Sequence, residues 1–321
     1  MKAIRFHSHG GPEVLRLDDI PVPVPQLGEA LVRVRTAGVN YADIYQRTGV
    51  TPTARPHVGG MEGIGVVETS AGGLPAGTRV MWTPHPGAYA EFVAVPVWKL
   101  LAVPDALEDH LAVAACMQGM TAQFLCETTY TVRTGDDVLV HAGAGGVGLL
   151  LIQLLKHKGA HVITTVSTPE KAALARAAGA DEVILYTETD FVAAVKAATG
   201  GKGVQVAYDS VGLTTYQGSL AVLRPLGSLV LFGQSSGVVP PIDPLALMRQ
   251  GSVFLTRPTI AHYVADAASL QARATKVLGW MLDGTLKLRI GRVYPLAGAA
   301  DAQRDLAART TTGKLLLQIG D

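Results

Sequence analysis

The chain has little cysteine and almost no net charge. Its 321 residues include only two cysteines, Cys116 and Cys126, which are too few for a disulfide framework and do not have the spacing of a metal motif. The 27 basic residues nearly cancel the 26 acidic ones, leaving a net charge of +1. No overall charge therefore attracts nucleic acid or an anionic membrane. The scarcity of thiols leads us to expect a location in the reducing cytoplasm.

Long hydrophobic runs are also missing. The N-terminal residues 1–9 lack the apolar core of a signal peptide, and the longest apolar stretches are broken well before the length that a membrane span needs. Hydrophobic residues nevertheless make up 48% of the chain, so it can bury large cores. Its length suggests about two domains. We expect a protein with no membrane segment and no nucleic-acid partner.

Glycine is abundant, and it concentrates in the stretch HAGAGGVG. A strand-like run, Asp137–His141, precedes the glycines, and a leucine-rich helical pattern over residues 149–158 follows them. Gly143, Gly145 and Gly148 fit the pattern G-x-G-x-x-G, in which the first glycine allows a tight turn, the second admits a pyrophosphate and the third lets helix and strand pack closely. The free N–H groups of the following helix also favour phosphate. The alternative is a glycine-rich turn that binds nothing.

The segments after this turn favour the binding interpretation, because strand and helix patterns alternate. The predicted strands are 161–166, 182–186, 204–208 and 227–232, and the predicted helices are 169–178 and 191–199. This alternation predicts a parallel sheet with right-handed crossovers. The glycine turn follows its first strand, where a doubly wound sheet binds its dinucleotide.

The first hundred residues are different, since they contain short strands and turns without long helices. Strands are predicted at 30–35, 59–67, 77–81 and 88–95. Beyond residue 254 the pattern is mixed: a helix at 266–283, a strand-like run at 287–290, a helix at 299–309 and a closing strand at 314–319. We expect this C-terminal part to complete the β domain, so that the nucleotide domain is inserted within it.

Seven motifs carry a resemblance to a known family. They are AGVNYADIYQRTG (37–49), GGMEGIGVV (59–67), QGMTAQFL (118–125), VLVHAGAGGVG (138–148), YDSVG (208–212), LFGQSSG (231–237) and LTRPT (255–259). In order and spacing they resemble the medium-chain dehydrogenase/reductase superfamily, and within it the zinc-independent quinone oxidoreductases, the group that includes zeta-crystallin. The resemblance covers essentially the whole chain.

The resemblance implies an α/β fold in which a doubly wound parallel Rossmann sheet is inserted in a mostly β GroES-like catalytic domain. The catalytic domain would comprise residues 1–117 and 255–321, and the NADPH-binding domain residues 118–254. The family also implies NADPH as the cofactor and a homodimer as the assembly.

A catalytic zinc is not expected, in contrast to the zinc alcohol dehydrogenases of the same superfamily. Those enzymes use Cys, His and acidic ligands because zinc must polarise the substrate oxygen. By resemblance, Asn40 stands at their first cysteine and Met61 at the histidine of their GHE motif. Their four-cysteine lobe has no counterpart in a chain with two cysteines. His57 and His85 are alternative ligands, but neither has a thiolate partner, and loop histidines are the simpler interpretation.

The candidate catalytic residues, by the same resemblance, are Asn40, Tyr45 and Gln118. Asn40 would hydrogen-bond the nicotinamide ribose or the substrate oxygen, and Tyr45 would orient a carbonyl or supply a proton. The structural alternatives are a turn asparagine and a packed tyrosine, and for Thr121 a helix-start residue. The cofactor candidates are Asn40, Thr121, Gly143, Gly145, Gly146, Val147, Gly148, Ser167, Lys171, Tyr186, Ser210, Val211, Phe232, Gly233, Arg257 and Arg309.

The end of the second predicted strand indicates which dinucleotide binds. NAD-specific domains carry an acid there, about 20 residues beyond the glycines, whereas this chain has Ser167, with Lys171 one helical turn later. A serine hydroxyl and an ammonium suit a 2′-phosphate. By resemblance, Tyr186 and Arg309 would also face it. Glu170 is the discordant residue, and we expect it to point to solvent.

The function expected from this resemblance is NADPH-dependent reduction of quinones, because a quinone accepts hydride without a strong Lewis acid. Reduction of the C=C bond of enals or enones on the same scaffold is the alternative. A non-enzymatic, crystallin-like or RNA-binding role is the alternative from a different class.

Overall fold

A computed structural model describes residues 1–320, which form two compact units. The first unit contains residues 1–120, 263–282 and the C-terminal residues from 288 onward, and the second contains residues 121–262 and 283–287. The first unit is therefore discontinuous in sequence. The domain boundaries that we expect after residues 117 and 254 remain predictions, because this division into compact units does not test them.

The N-terminal part of the first unit consists mainly of short strands. The elements in chain order are β1 (Lys2–Phe6), β2 (Arg16–Asp19), β3 (Glu29–Val39), α1 (Tyr41–Thr48), β4 (His57–Val58), β5 (Gly63–Val67), β6 (Arg79–Trp82), β7 (Phe92–Pro96), β8 (Leu101–Ala102) and α2 (Asp109–Phe124). A three-stranded antiparallel sheet has the order β2-β1-β4, and a bridge joins Ala3 of β1 to Ala90.

The second unit is a six-stranded parallel sheet with its helices between the strands. A π-helical turn (Leu125–Thr129) precedes the sheet. The elements are β9 (Asp137–His141), α3 (Gly146–His157), β10 (His161–Val166), α4 (Pro169–Ala177), β11 (Glu182–Leu185), α5 (Phe191–Ala198), β12 (Val204–Asp209), α6 (Tyr216–Ala221), β13 (Leu223–Leu231), α7 (Pro244–Arg249), β14 (Phe254–Thr256) and α8 (Ile260–Tyr263). The strand order is β11-β10-β9-β12-β13-β14, the order of a doubly wound dinucleotide-binding fold.

The C-terminal segment returns to the first unit and completes its larger sheet. It contains α9 (Ala267–Leu282), β15 (Ile290–Pro295), α10 (Ala299–Ala307) and β16 (Lys314–Gln318). The sheet has the order β15-β16-β3-β5-β6-β8, and β7 also pairs with β3. The long strand β3 therefore has β16 along one edge and β5 along the other. Apolar side chains on these strands form one buried core, including Val32, Val34, Leu315 and Leu317.

These elements confirm the predicted fold class, including the inserted order of the parallel sheet. One predicted strand is wrong: the run at 287–290 is not a strand, and β15 begins only at Ile290. The reason lies in Lys287, whose backbone N–H and C=O bond the side chain of Gln153 at 2.8 and 3.0 Å. Within residues 1–320, no helix combines the length and apolar character needed to cross a membrane.

Candidate functional site

The glycine turn joins β9 to α3, and the atoms that surround each of its glycines differ. A Cβ on Gly143 would collide with the hydroxyl of Thr164, and one on Gly148 would lie 2.9 Å from the Cα of Gly143. A Cβ on Gly145 would meet only the carbonyl oxygen of Ala142, at 3.2 Å. The protein's own packing thus requires the first and third glycines, whereas the second leaves its backbone open. This matches a turn that lets a pyrophosphate approach, and Gly146 and Val147 begin the helix beside it.

Ser167, Lys171 and Tyr186 lie together at the carboxyl ends of β10 and β11. The Lys171 ammonium donates to the Ser167 hydroxyl at 3.0 Å. Val166 and Leu185 are paired in register, so the residues that follow them, Ser167 and Tyr186, are neighbours. The Tyr186 side chain is exposed, as is Glu170. The result is a hydroxyl, an ammonium and a phenol at one sheet edge, with no acidic residue at the end of β10.

The loops after β12 and β13 contain four further candidates, and their backbones pack directly on each other. A Cβ on Gly233 would lie 2.9 Å from the Cα of Ser210, and the Ser236 N–H donates to the carbonyl of Val211 at 2.8 Å. Phe232 is half-buried between them. The exposed Arg257 donates to the carbonyl of Leu231 at 3.0 Å. These candidates therefore share the carboxyl edge of the sheet with the glycine turn.

A buried network holds one of these loops, and we did not predict it from the sequence. One carboxylate oxygen of Asp209 accepts the N–H groups of Val211 and Gly212 at 2.8 and 2.9 Å. Its other oxygen accepts the Ser219 hydroxyl at 2.8 Å, and Ser219 lies 3.0 Å from Nε2 of His141. Burial lowers the pKa of His141. The motif YDSVG contained Asp209, but only the tertiary structure shows that its acid supports the loop.

In the first unit, Asn40 occupies the junction between β3 and α1, and its side chain is held from two sides. Its Nδ2 donates to Oε1 of Glu62 at 2.7 Å, and its Oδ1 accepts from the Lys314 ammonium at 2.8 Å. Lys314 and Glu62 also form an ion pair in which both side chains are almost completely buried. Glu62 and Lys314 are functional candidates that the sequence analysis missed, although Glu62 lies in the motif GGMEGIGVV.

A second buried acid lies beside Asn40. Asp43 accepts the backbone N–H of Asn40 at 2.8 Å and the hydroxyl of Tyr89 at 2.9 Å, both on Oδ2. Its Oδ1 is buried with no hydrogen-bond partner among residues 1–320. Burial raises the pKa of Asp43 to about 7, against the opposing effect of the hydrogen bonds from Asn40 and Tyr89. Gly59 and Gly60, the first two residues of the motif GGMEGIGVV, leave room for the Tyr89 ring.

The other candidates have simpler surroundings. Tyr45 is half-buried on α1, with its ring 6.0 Å from that of Tyr41. Gln118 lies on α2 directly after Met117, whose N–H donates to Glu62 Oε2 at 2.7 Å. Thr121 also lies inside α2, so the interpretation as a helix-start residue is wrong: the helix begins twelve positions earlier, at Asp109. Arg309 follows α10 at a positive φ of 58°.

The residues at the zinc-ligand positions of related dehydrogenases do not suit zinc. Asn40 and Met61 are weak ligands for it, and the thioether of Met61 accepts the Gln46 amide at 3.0 Å. The carboxylate of Glu62 is already neutralised by Lys314. Across residues 1–320 no three His, Cys, Asp or Glu side chains form a group that could hold a metal ion. His57 is half-buried, and His85 bonds the Ala94 carbonyl at 2.9 Å.

Two family models match the chain, one in each part of the fold. Residues 26–105 match the alcohol dehydrogenase GroES-like domain. Residues 146–272 match the zinc-binding dehydrogenase model, which includes α3 and the strands after it. The first match covers most of the strands that surround Asn40, and the second begins at the glycine turn.

Relatives that align over nearly the whole chain identify its family more closely than the two domain models do. A quinone oxidoreductase of Pseudomonas aeruginosa is 40% identical and aligns over 98% of this chain and 99% of its own. A 2-haloacrylate reductase of Burkholderia is 38% identical, with 97% of each chain covered. The crystal structure of Escherichia coli quinone oxidoreductase complexed with NADPH superposes with a TM-score of 0.96 at 36% identity, covering 99% of this chain and 100% of the other. The chain belongs to the quinone oxidoreductase family of the medium-chain dehydrogenase/reductase superfamily.

Proposed function

We propose that the protein is an NADPH:quinone oxidoreductase that transfers hydride without zinc. The observation that carries the cofactor choice is the Ser167–Lys171 pair, 3.0 Å apart at the end of β10. An acid at this position would bind a ribose 2′-OH, whereas a hydroxyl and an ammonium favour a 2′-phosphate. The NADPH complex of the E. coli relative supports the same choice.

Several groups of residues would hold the cofactor. The open backbone at Gly145 and the first turn of α3 (Gly146–His157) suit the pyrophosphate, because helix N-termini bind anions. Ser167, Lys171, Tyr186 and Arg309 are our candidates for the 2′-phosphate. The remaining candidates for the adenosine and nicotinamide ribose are Asn40, Thr121, Ser210, Val211, Phe232, Gly233 and Arg257.

NADPH, when bound, supplies the hydride, so the protein must orient the acceptor and exclude water. We propose that Asn40, Tyr45 and Gln118 perform this orientation through their amide and phenol groups. A quinone becomes a stable hydroquinone anion on accepting hydride, which reduces the need for a Lewis acid. The donor set at Asn40, Met61 and Glu62 agrees with chemistry that uses no metal, because its carboxylate is engaged by Lys314.

The direct test is NADPH oxidation measured against quinones, enones, aldehydes and alcohols. We expect turnover of small quinones such as benzoquinone and naphthoquinone, little alcohol oxidation, and a preference for NADPH over NADH. Enones with a kcat/KM more than about tenfold above that of quinones, which is about 1.4 kcal/mol in the barrier, would establish the C=C reductase instead. NADPH binding with no acceptor turned over would favour the non-enzymatic class.

The zinc-free mechanism has its own measurement. Protein treated with a chelator and then analysed for metal should contain no stoichiometric zinc and should retain its quinone reductase activity. Zinc that is present at one equivalent and is required for turnover would overturn this part of the proposal. Adding zinc to the treated protein serves as the control for loss of a metal during treatment.

We also propose a homodimer formed at the β14 edge of the parallel sheet. β14 is an edge strand, and exposed apolar side chains accompany it, among them Phe254 (62% exposed) and Met248 (58%). Such a row of unpaired strand groups with apolar neighbours suits pairing with a second copy. Sedimentation should give a dimer for the wild type and for Leu282→Asp, an exposed control on α9, and a monomer for Phe254→Asp. A monomeric wild type would refute the proposal.

The cytoplasmic location of the protein stays a prediction.

A further inference from the structure

The sheet register of the first unit brings two charged residues to Asn40 from opposite sides. β16 is antiparallel to β3 with Leu315 opposite Val39, so Lys314 lies beside Asn40. On the other edge of β3, Gly63 of β5 is opposite Ala37, which places Glu62 beside Gly38. We call Asn40, Glu62 and Lys314 the amide clamp. The contacts of Lys314 depend on pairing between segments more than 250 residues apart in sequence, as the Lys314–Asn40 bond shows.

Gly38 makes the amide clamp sterically feasible. A Cβ at this position would collide with the carboxylate of Glu62. The missing side chain lets Glu62 lie across β3 and reach both Lys314 and Asn40. The φ angle of Gly38 is not in the left-handed region, so a glycine is needed here for space and not for its backbone conformation.

The amide clamp leaves no charged donor or acceptor unmatched. The Lys314 ammonium contacts Glu62 Oε1, Asn40 Oδ1 at 2.8 Å and the Val39 carbonyl at 3.4 Å. Glu62 uses its second oxygen to accept the N–H of Met117 at 2.7 Å. A buried ion pair is tolerated when further hydrogen bonds satisfy its remaining groups. Glu62 therefore joins Asn40 to the helix turn that carries Gln118.

The charges select one of the two flip states of the Asn40 amide. In the observed state the amide oxygen faces the ammonium and the amide nitrogen faces the carboxylate. A flip by 180° would set N–H groups against the ammonium and oxygen against the carboxylate, and both contacts would be repulsive. An asparagine has two N–H donors and two lone pairs on its oxygen. One donor and one lone pair are thus committed to the two charges, and the capping box of α1 also engages the side-chain oxygen with the backbone of Asp43. The second N–H is therefore presented in a defined direction.

We propose that Lys314 is a positioning residue, which acts through Asn40 by fixing the flip state of the amide that NADPH contacts. This inference rests on the proposed function, since it takes NADPH as the cofactor and Asn40 as one of its contacts. Lys314 itself is almost completely buried and needs no contact with the cofactor. Its contribution is to keep the second amide N–H of Asn40 available in a constant orientation.

The test compares Lys314→Met/Glu62→Gln with Lys314→Gln/Glu62→Gln. Both pairs remove the two buried charges together, and methionine and glutamine have similar volume. Only the glutamine at 314 can still donate to the amide oxygen of Asn40, and the nearby Val39 carbonyl, which can only accept, favours its NH2 group on that side. NADPH affinity, measured by fluorescence titration, should fall about tenfold or more in the methionine pair and change less than about threefold in the glutamine pair. Thermal unfolding of the cofactor-free proteins reports whether the two pairs are equally stable.

The same comparison in an Asn40→Ala background provides the control. If Lys314 acts through Asn40, the difference between the methionine and glutamine pairs disappears there. A difference that persists, or two pairs that bind NADPH equally with Asn40 present, overturns the inference. If the methionine pair does not fold, Glu62→Gln with Lys314 intact tests the inference from the other side: Lys314 still holds the Asn40 oxygen, so this variant should bind NADPH within about threefold of the wild type, and a loss of about tenfold or more overturns the inference.

These outcomes are distinct from failure of the proposed function. Titration needs no acceptor, so a wild type that binds NADPH but reduces no quinone contradicts the quinone proposal alone. A wild type that binds no NADPH contradicts the cofactor assignment and the inference with it. Equal binding by the methionine and glutamine pairs contradicts only the role of Lys314.

Discussion

The two units build their candidate sites from different materials. In the second unit the main features are backbone ones: the glycine turn of residues 143–148, and two loops whose chains pack against each other at Gly233. In the first unit the features are side chains, the amide clamp and the acid of Asp43, all buried in a β domain. A backbone site depends on local sequence, whereas a side-chain site depends on which strands pair. The comparison teaches that the two sites should fail in different ways when they are mutated.

The largest effect should come from blocking the backbone site. Gly145→Val places methyl groups where the turn is otherwise open, so NADPH binding should be lost, by more than about a hundredfold, while the protein stays folded. Calorimetric titration and circular dichroism measure the two properties. Gly279→Val, at a helical glycine with open space around it, is the control that should bind normally. Unchanged NADPH affinity in Gly145→Val would show that the turn is purely structural.

A smaller effect, on stability and not on binding chemistry, is expected from the side-chain site. The pKa of Asp43 is raised from 3.8 to about 7, so the folded state binds more protons than the unfolded state between these values, and the wild type loses stability as pH rises from about 4 to 7. Asp43→Asn removes that loss. Between pH 5 and pH 8 the variant should gain about 2–3 kcal/mol over the wild type.

Thermal unfolding at the two pH values measures this gain. Asp19→Asn is the control, because the hydrogen bond from Lys2 lowers the pKa of that exposed acid and its ionisation is complete throughout the range. Its difference from the wild type should stay constant between pH 5 and pH 8. The same constancy in Asp43→Asn would show that Asp43 is ionised in the folded protein at both values.

The smallest effect concerns the choice of cofactor. Lys171→Ala should weaken NADPH roughly tenfold or more, as expected for the loss of one charge-assisted hydrogen bond of about 1.5–3 kcal/mol, and leave NADH nearly unchanged. The matched control is Lys202→Ala, an exposed lysine in a turn of the same unit. Equal affinity of the wild type for both cofactors, or equal losses in the variant, would refute the 2′-phosphate assignment.

Local segments could be predicted from the sequence, whereas contacts between distant segments could not. The strands 137–141 and 161–166 agree with the structure at both ends, because apolar runs and glycine stops act over a few residues. The strand predicted at 287–290 was wrong at its start, because the side chain of the distant Gln153 bonds the backbone N–H and C=O of Lys287. The position of Thr121 in its helix was ambiguous from the sequence. The helix α2 is largely buried and apolar, so no alternation of polar and apolar residues marks where it begins.

The fold class, the glycine turn and the absence of an acid at the end of β10 could all be predicted from the amino-acid sequence. Each depends on residues that are neighbours in the chain, where turn chemistry and periodicity act directly. The partner of each buried charge emerges only in the folded protein: Lys314 pairs with Glu62 and Asn40, and Asp43 pairs with Tyr89. Sheet pairing brings these residues together from distant segments, and a buried charge is stable only where such pairing supplies its partners.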